Sequence, residues 1–194
     1  MLRIFYMCLD TGIAAVVLIP FFWILNRCYI RSASRTMAYL LFSLYLCAMF
    51  AVVGLPDVRY IRFDLRYNLV PFRYMFSDLT NTLLNVALFL PLGFFLTVFW
   101  QKFRKFPRTM LFGFFCSLFI ESMQVFTLRA TDVNDLITNT FGAFLGWLAG
   151  RMLVRFVPSV QATAPVRDIY LICGCALSVM VFLHPFLSEL FLIY

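Results

Sequence analysis

Polar residues recur at helical spacing within long apolar stretches of this sequence, where side chains able to do chemistry are rare and informative. Glu121 and Gln124 lie three residues apart, so they share one face of a helix. Asn81 and Asn85, four residues apart, share another. Carboxylates and carboxamides hydrogen-bond to hydroxyl, amide or amine groups, and a desolvated carboxylic acid can also serve as a general acid or base. A third face carries Asp132, Asp135, Asn139, Gly142 and Gly146. Together the three faces predict a polar site carried by helices.

The composition identifies the elements that hold these residues as membrane helices. Of 194 residues, 63% are apolar, 19% are aromatic and only 13% are charged, a balance far outside the range of a soluble domain. About 20 helical residues cross a hydrocarbon core about 30 Å thick. The sequence therefore predicts an all-α membrane protein, a bundle of about six transmembrane helices that forms a single domain over residues 1–194. The predicted spans lie at about 4–25, 37–55, 79–100, 109–127, 133–153 and 169–192.

The distribution of basic residues predicts the orientation of this bundle. The connectors 26–36, 101–108 and 154–168, with Arg151 at the edge of the last, carry ten basic residues, against six on the opposite side. Because basic residues accumulate in cytoplasmic connectors, the first side is predicted to be cytoplasmic and both termini extracytoplasmic, in a bacterial cell membrane crossed several times. These residues lie between apolar runs and orient the spans, so the net charge of +7 does not indicate nucleic acid as a partner.

The longest connector, residues 56–78, is rich in both charged and aromatic residues and lies on the predicted outer side. Its arginines recur at helical spacing opposite apolar residues, which predicts a short amphipathic helix that lies flat on the membrane or dips into it. Pro71 limits this helix, because the residue before a proline avoids the helical region. The stretch 68–72 is therefore predicted to turn back into the bundle. The arginines are Arg59, Arg62, Arg66 and Arg73.

The depths of three polar residues predict where the site lies. From the helical rise of about 1.5 Å per residue, Asn85, Glu121 and Asn139 are each about 9–10 Å inside the outer ends of their predicted spans. Neighbouring antiparallel spans would bring a carboxylate and several carboxamides into one hollow of the outer leaflet, beneath the long connector. Ionisable residues inside a membrane are costly, and by default they mark a functional interior or a buried pair.

Each of these features also has a purely structural interpretation. The asparagines could act as hydrogen-bonding contacts between helices, worth ~0.6 kcal/mol each on average. Gly142 and Gly146 could serve only to let two backbones approach closely. Glu121 could form a structural ion pair with Arg129 or with an arginine of the long connector.

Other reactive residue types give no recognisable site. No pair of the six cysteines has the spacing of a redox or zinc site, and the sequence contains no H-E-x-x-H motif. His184 has no sequence neighbour that would make it a ligand, and Asp10 could either join the cluster or cap against a neighbouring helix. The sequence therefore predicts neither a cofactor nor a metal centre.

Four pieces of the sequence, in their order and spacing, resemble the VanZ-like family over roughly residues 59–151. They are Asn68-Leu69-Val70-Pro71-Phe72; Asn85-x3-Phe89-x-Pro91-Leu92-Gly93; Glu121-x2-Gln124; and Asp132-x2-Asp135-x3-Asn139-x2-Gly142-x3-Gly146. The chain departs from the family pattern at Asn134, where an acidic residue is frequent. The resemblance implies a small integral membrane protein of bacteria, with named members tied to reduced susceptibility to teicoplanin-type glycopeptide antibiotics.

The favoured hypothesis is a non-catalytic pocket in the outer leaflet that binds a membrane lipid of the envelope, a lipid-linked wall precursor or a lipid-tailed glycopeptide. The first alternative is an intramembrane enzyme that acts on such a lipid or precursor with Glu121 as acid or base. A lipid transporter or flippase and a scaffold for another membrane protein are further alternatives. The predicted ligand-binding residues are Arg59, Arg66, Asn68, Asn81, Asn85, Glu121, Gln124, Asp132, Asp135 and Asn139.

Overall fold

The computed structural model describes residues 2–54, 67–68, 70–72, 75, 78–126, 131–157 and 164–192. Within these ranges the chain is helical apart from short turns and one two-residue bridge. Four helical segments of the described chain are long and apolar enough to cross a membrane. The chain is therefore an all-α membrane protein, as the composition predicted. The four segments are Cys8–Ile30, Ala33–Val53, Leu79–Phe99 and Arg167–Leu187.

Contacts between residues group the chain into two compact units. The terminal unit comprises Met1–Ile61 and Arg167–Tyr194, and the central unit comprises Arg62–Val166. The central unit contains the third to fifth of the described α-helices. In chain order the helices are α1 (Leu2–Leu25), α2 (Ala33–Val53), α3 (Leu79–Phe99), α4 (Phe106–Gln124), α5 (Val133–Phe156), α6 (Arg167–Ser178) and α7 (His184–Leu192).

In the terminal unit, α1 packs against α2 around an apolar core. A π-helical turn, Asn26–Ile30, ends α1, and the Asn26 side chain organises the entry into α2. Its Oδ1 accepts hydrogen bonds from the Ser32 backbone N–H and the Thr36 hydroxyl, both at 2.9 Å. The Ser32 bond satisfies a backbone donor at the helix start that would otherwise lack a partner. The largest buried side chains are Leu18, Phe22, Tyr39, Phe42, Leu46 and Met49.

The predicted last span, residues 169–192, is interrupted in the structure. α6 gives way to a π-helical turn at Val179–Leu183 before α7 begins at His184. Pro185 has no N–H to offer the carbonyl of the preceding turn, which disfavours an uninterrupted α-helix at this point. The segment nevertheless has the length and hydropathy of a membrane crossing.

In the central unit, α3 and α5 run in the same direction with their backbones in contact. A Cβ atom built on Gly146 would lie 1.9 Å from the Leu90 carbonyl oxygen, and one built on Gly142 would lie 2.4 Å from that of Val86. Only a residue without a side chain fits at this separation. Gly142 and Gly146 therefore lie on a surface of close helix approach, as their structural interpretation held.

Two aspartates begin the helices that carry the predicted polar residues. Asp78 Oδ1 accepts the Asn81 N–H at 3.1 Å at the start of α3. Asp132 Oδ1 accepts the Asn134 N–H at 2.8 Å at the start of α5. Each carboxylate satisfies a helix N–H that would otherwise lack a partner, and it complements the positive end of the helix dipole. Asp132 is therefore a helix cap as well as a predicted site residue.

One parallel bridge of the described chain joins the segment before α3 to the segment before α5. Tyr67 pairs with Thr131, and Asn68 pairs with Asp132. The bridge is only two residues long on each side, so it has no alternating apolar pattern that a sequence could reveal. It brings Asn68 to the start of α5.

Most of the connector predicted to be amphipathic, residues 56–78, falls outside the described residues. Arg59 and Arg66, both predicted to contact a ligand, lie outside them as well. A turn is described at residues 70–72, which include Pro71, the residue that predicted a turn over 68–72. The insertion of this connector into the membrane therefore stays a prediction.

α4 and α5 are long enough to cross a membrane but are less apolar than the other long helices. They have 19 and 24 residues, and neither is among the four apolar segments. Their hydropathy is lowered in part by the polar residues predicted to form the site. α4 also begins and ends three residues earlier than predicted, at Phe106 and Gln124.

Candidate functional site

A polar ladder of three hydrogen-bonded pairs runs along the first turns of α5. The pairs are Asp132 with Glu121, Asp135 with Asn85, and Asn139 with Ser117. Asp135 and Asn139 lie four residues apart on one face of α5 and contribute their side chains, whereas Asp132 at the helix cap contributes its backbone N–H. The ladder ties α5 to both α3 and α4.

The first pair joins the end of α4 to the start of α5. Glu121 is only 4% exposed, and its Oε2 accepts the backbone N–H of Asp132 at 3.0 Å. The Glu121 carbonyl accepts the Thr131 hydroxyl at 3.2 Å. Both carboxylate oxygens of Asp132 accept the side-chain amide of Asn68 at 3.2 Å. Glu121 and Asp132 thus fasten α4, α5 and the parallel bridge to one another.

The second pair is a direct contact between side chains of α3 and α5. Asn85 Nδ2 donates to Asp135 Oδ1 at 2.7 Å. A short bond from an amide to a carboxylate is stronger than one between two neutral groups. Polar contacts of this kind hold membrane helices in a defined register.

The third pair leaves one acceptor open. Asn139 Nδ2 donates to Ser117 Oγ at 2.9 Å, and the two residues are 3% and 0% exposed. The other polar atom of this amide, Asn139 Oδ1, is buried and accepts no hydrogen bond in the described part of the chain. A buried polar atom without a partner costs on the order of 1–3 kcal/mol. A donor group placed beside this oxygen would therefore be stabilised.

The three pairs lie at successive levels of α5, which corrects the expectation of equal depth. Glu121 bonds to Asp132 and Asn85 bonds to Asp135. Asn139, the third level, bonds to Ser117. The distance from 132 to 139 is about 10 Å of helix rise. Because α4 ends earlier than predicted, Glu121 lies within one turn of the helix end. In the three bonds described, Asn85, Glu121 and Asn139 therefore each have a different hydrogen-bond partner.

Two residues that the sequence did not assign to the site belong to it. Asn134 is 6% exposed, and its Oδ1 accepts the backbone N–H of Phe72 at 2.6 Å. Phe72 has a positive φ of 63°, so this bond helps to hold a backbone conformation that side chains disfavour. Ser117 lies four residues before Glu121 and on the same face of α4, and that spacing was the available signal.

Some predicted residues lie at the edge of the ladder or beyond it. Asn81 is exposed, and the contact described for it is its backbone N–H to Asp78. Gln124 is buried at the last residue of α4, about one turn beyond Glu121. Arg129 and the connector arginines, which could pair with Glu121, lie outside the described residues.

The terminal unit holds polar contacts of its own that the sequence did not predict. His184 Nε2 and Asp10 Oδ1 are 3.0 Å apart and link α7 to α1. Asp168 is buried and accepts the hydroxyls of Tyr39 at 2.6 Å and Tyr29 at 3.4 Å. Local spacing could not reveal these pairs, because their members are more than 120 residues apart. Among the described residues, no three His, Cys, Asp or Glu side chains are arranged to hold a metal ion.

Fold and site together define an integral membrane protein in which a polar ladder joins three consecutive helices. A family model described as VanZ/LLP1 matches residues 36–155, which is more than half of the chain and includes the whole ladder. The chain therefore belongs to the VanZ/LLP1 family, and the resemblance found in the sequence is confirmed.

A curated relative gives a second comparison. Protein VanZ from Enterococcus faecium is 38% identical over 80 residues. The match covers 41% of this chain and 48% of the relative, so the chain spans about half the length of the curated relative it matches. No solved structure matches the chain.

Proposed function

We propose that this protein is a multi-pass membrane protein of bacteria that binds an envelope lipid, a lipid-linked wall precursor or a lipid-tailed glycopeptide at the polar ladder. Six helical segments cross the membrane, with α4 and α5 completing the set. Both termini face outward, which the ten basic residues on the opposite side support. The ladder then lies in the outer leaflet, and occupation of this site lowers the susceptibility of the cell to teicoplanin-type glycopeptides.

The open acceptor of Asn139 is the observation that carries this proposal. Its Oδ1 is buried and lacks a donor within the described chain. Because no bulk water competes for such an atom inside a bilayer, a hydroxyl, amide or amine donor of a ligand gains a well-defined hydrogen bond there. Asp135 lies one helical turn away on the same face of α5 and adds a carboxylate that favours such donors.

The chemistry of the ladder favours one part of the ligand over another. Carboxylates and carboxamides bind hydroxyl and amine groups, and the carboxylates repel phosphate, so the ladder would hold a sugar or peptide portion. Arg59 and Arg66 are proposed to hold the phosphate or pyrophosphate of the same molecule. A lipid-linked wall precursor carries both portions and fits this division best.

A purely structural role of the ladder is the second candidate function. The separate partners of Asn85, Glu121 and Asn139 favour it, because each pair already joins two neighbouring segments. Hydrogen bonds between membrane helices contribute ~0.6 kcal/mol each on average. This reading leaves the open oxygen of Asn139 without an explanation.

The test measures ligand retention in two variants that remove the same interhelical bond. Asn139→Ala removes the open acceptor together with the bond to Ser117, whereas Ser117→Ala removes the bond and keeps the acceptor. Native mass spectrometry of the full chain in detergent is expected to show a retained lipid or lipid-linked adduct. That adduct should be lost in Asn139→Ala and kept in Ser117→Ala. Gln101→Ala, which removes an exposed carboxamide outside the ladder, is the surface control.

The same variants test the cellular role. Expression in a susceptible Gram-positive host is expected to raise the minimum inhibitory concentration of teicoplanin, and Asn139→Ala should abolish the increase. Retention of adduct and phenotype in Asn139→Ala, with only thermal stability reduced, would support the structural role and end the proposal. Chemical conversion of a labelled lipid in proteoliposomes, lost in Glu121→Gln, would replace binding by catalysis.

A further inference from the structure

The end of the central unit opposite the polar ladder is strongly basic. It consists of the last turn of α3, the 3-10 turn Gln101–Arg104, the first turn of α4 and the last turns of α5. We call it the basic end. Its six basic residues are Lys102, Arg104, Lys105, Arg108, Arg151 and Arg155.

The helices that form the basic end contribute no acidic residue to it. Residues 79–120 and 136–166 contain no Asp or Glu. Six positive charges therefore collect at one end of these helices, while the described acidic residues of the unit collect at the other. Those acidic residues are Asp78, Glu121, Asp132 and Asp135.

Arg104 and Arg151 of the basic end lie near each other. The Nε and Nη2 atoms of Arg104 are buried, and its carbonyl accepts the indole N–H of Trp147 at 3.2 Å. This bond holds the 3-10 turn against α5. Burial lowers the pKa of Arg104, and the charge of nearby Arg151 lowers it further. An anion placed between two guanidinium groups that repel each other would stabilise both.

Aromatic side chains surround the basic end. The rings of Phe106 and Trp147 are 5.3 Å apart and nearly perpendicular, and Phe106 is 46% exposed. Phe156, at the end of α5, is 73% exposed. Exposed aromatic residues beside basic ones are typical of the level at which lipid chains meet their headgroups. This setting favours the headgroup of a lipid over a solute from bulk water as the anion.

We propose that the basic end binds the phosphate of an anionic phospholipid, such as phosphatidylglycerol, with the exposed Arg151 as the direct contact and with Arg104 beside it contributing positive charge. A planar guanidinium offers paired donors that match two phosphate oxygens, which a lysine cannot do. The proposal is independent of the ladder, because it concerns the opposite end of the helices and a group of opposite charge.

The test is thermal unfolding of the full chain in detergent with added phosphatidylglycerol, phosphatidylcholine or inorganic phosphate. At about 0.5 M salt the Debye length is roughly 4 Å, so diffuse attraction to exposed charges is largely removed. Phosphatidylglycerol is expected to raise the midpoint of unfolding, with no rise from phosphatidylcholine or inorganic phosphate. Arg151→Gln, at an exposed position, should weaken binding and so raise the phosphatidylglycerol concentration at half-saturation about fivefold.

Lys102→Gln removes an equal charge from an exposed residue of the same turn and is the matched control. It should change half-saturation less than twofold, while Arg104→Gln should behave like Arg151→Gln. Equal stabilisation by phosphatidylcholine, or equal stabilisation by inorganic phosphate, would overturn the assignment to an anionic lipid. If Lys102→Gln and Arg151→Gln raised the half-saturation concentration equally, the lipid would bind a diffuse basic surface. That result would also overturn the proposal. Because Arg151 is exposed, its variant keeps the test decisive if Arg104→Gln does not fold.

Discussion

Substitution of Gly146 by alanine tests whether the backbone contact between α3 and α5 holds the central unit together. The added Cβ would lie 1.9 Å from the Leu90 carbonyl oxygen and 2.7 Å from the Phe94 nitrogen. Ordinary contact begins at 3.4 Å, so the facing backbone must retreat by about 1.5 Å. The obstructing atoms belong to a helix backbone and cannot turn aside as a side chain can.

The structure sets the size and the sign of the expected effect. Overpacking costs roughly 1–3 kcal/mol, and backbone obstruction at Gly146 places this variant at the upper end of that range. Alanine is favoured over glycine in a helix by about 1 kcal/mol, which offsets part of the cost. The net destabilisation at Gly146 is therefore about 2 kcal/mol, or about 4–8 °C in the midpoint of unfolding. At Gly174, where a Cβ meets nothing within 4 Å, alanine should instead raise the midpoint by about 2–4 °C.

The assay is thermal unfolding of purified chain in one detergent, followed by circular dichroism. Gly150→Ala gives an intermediate point, because its Cβ would meet the Thr97 side chain at 2.9 Å. The expected order of midpoints is Gly174→Ala, wild type, Gly150→Ala, Gly146→Ala. A Gly146→Ala protein as stable as wild type would refute the close packing of α3 and α5. A loss at Gly174 equal to that at Gly146 would show that helical glycines matter here for some reason other than contact.

Two further predictions concern single hydrogen bonds and use the same assay. Tyr39→Phe removes the 2.6 Å bond to buried Asp168 and should lower the free energy of unfolding by about 1.5–3 kcal/mol. Tyr29→Phe removes a 3.4 Å bond at an exposed position and should lower it by less than about 1 kcal/mol. Equal losses in the two variants would contradict the greater weight given to the buried bond. Asn134→Leu removes the acceptor of the Phe72 N–H and should cost about 1–3 kcal/mol. A neutral leucine variant would show that this bond does not hold the 70–72 turn.

Helix positions in the central unit followed closely from the sequence. α3 and α5 begin at residues 79 and 133, as the apolar windows predicted. The i, i+3 and i, i+4 spacing also placed Asp132, Asp135 and Asn139 on one face, and the side chains of Asp135 and Asn139 on that face supply two of the three pairs of the ladder. These features are local, so a single sequence contains enough information to predict them.

Relative height along neighbouring helices is what the sequence could not supply. A shift of three residues in the end of α4 moves Glu121 by about 4.5 Å, which is close to one helical turn. That shift separates the Glu121 pair from the Asn85 pair. The contact between His184 and Asp10 was missed for a related reason, since its members are 174 residues apart in the chain. Pairings of this kind depend on how helices pack and have no local pattern.

The glycines and the polar residues of α5 depend on each other physically. Unpaired polar groups are costly within a membrane, and the Asn85 to Asp135 bond of 2.7 Å requires that α3 and α5 stay close. Gly142 and Gly146 permit that closeness, because any side chain there would meet the α3 backbone. A methyl group at Gly146 is therefore expected to lengthen this bond as well as to reduce packing. Asn139 lies about one helical turn from Asp135 and about two turns from Gly146. Gly146→Ala should therefore also weaken retention of a ligand at Asn139, although the added methyl group does not contact the ladder. Unchanged ligand retention in a destabilised Gly146→Ala protein would show that helix packing and the ladder act separately.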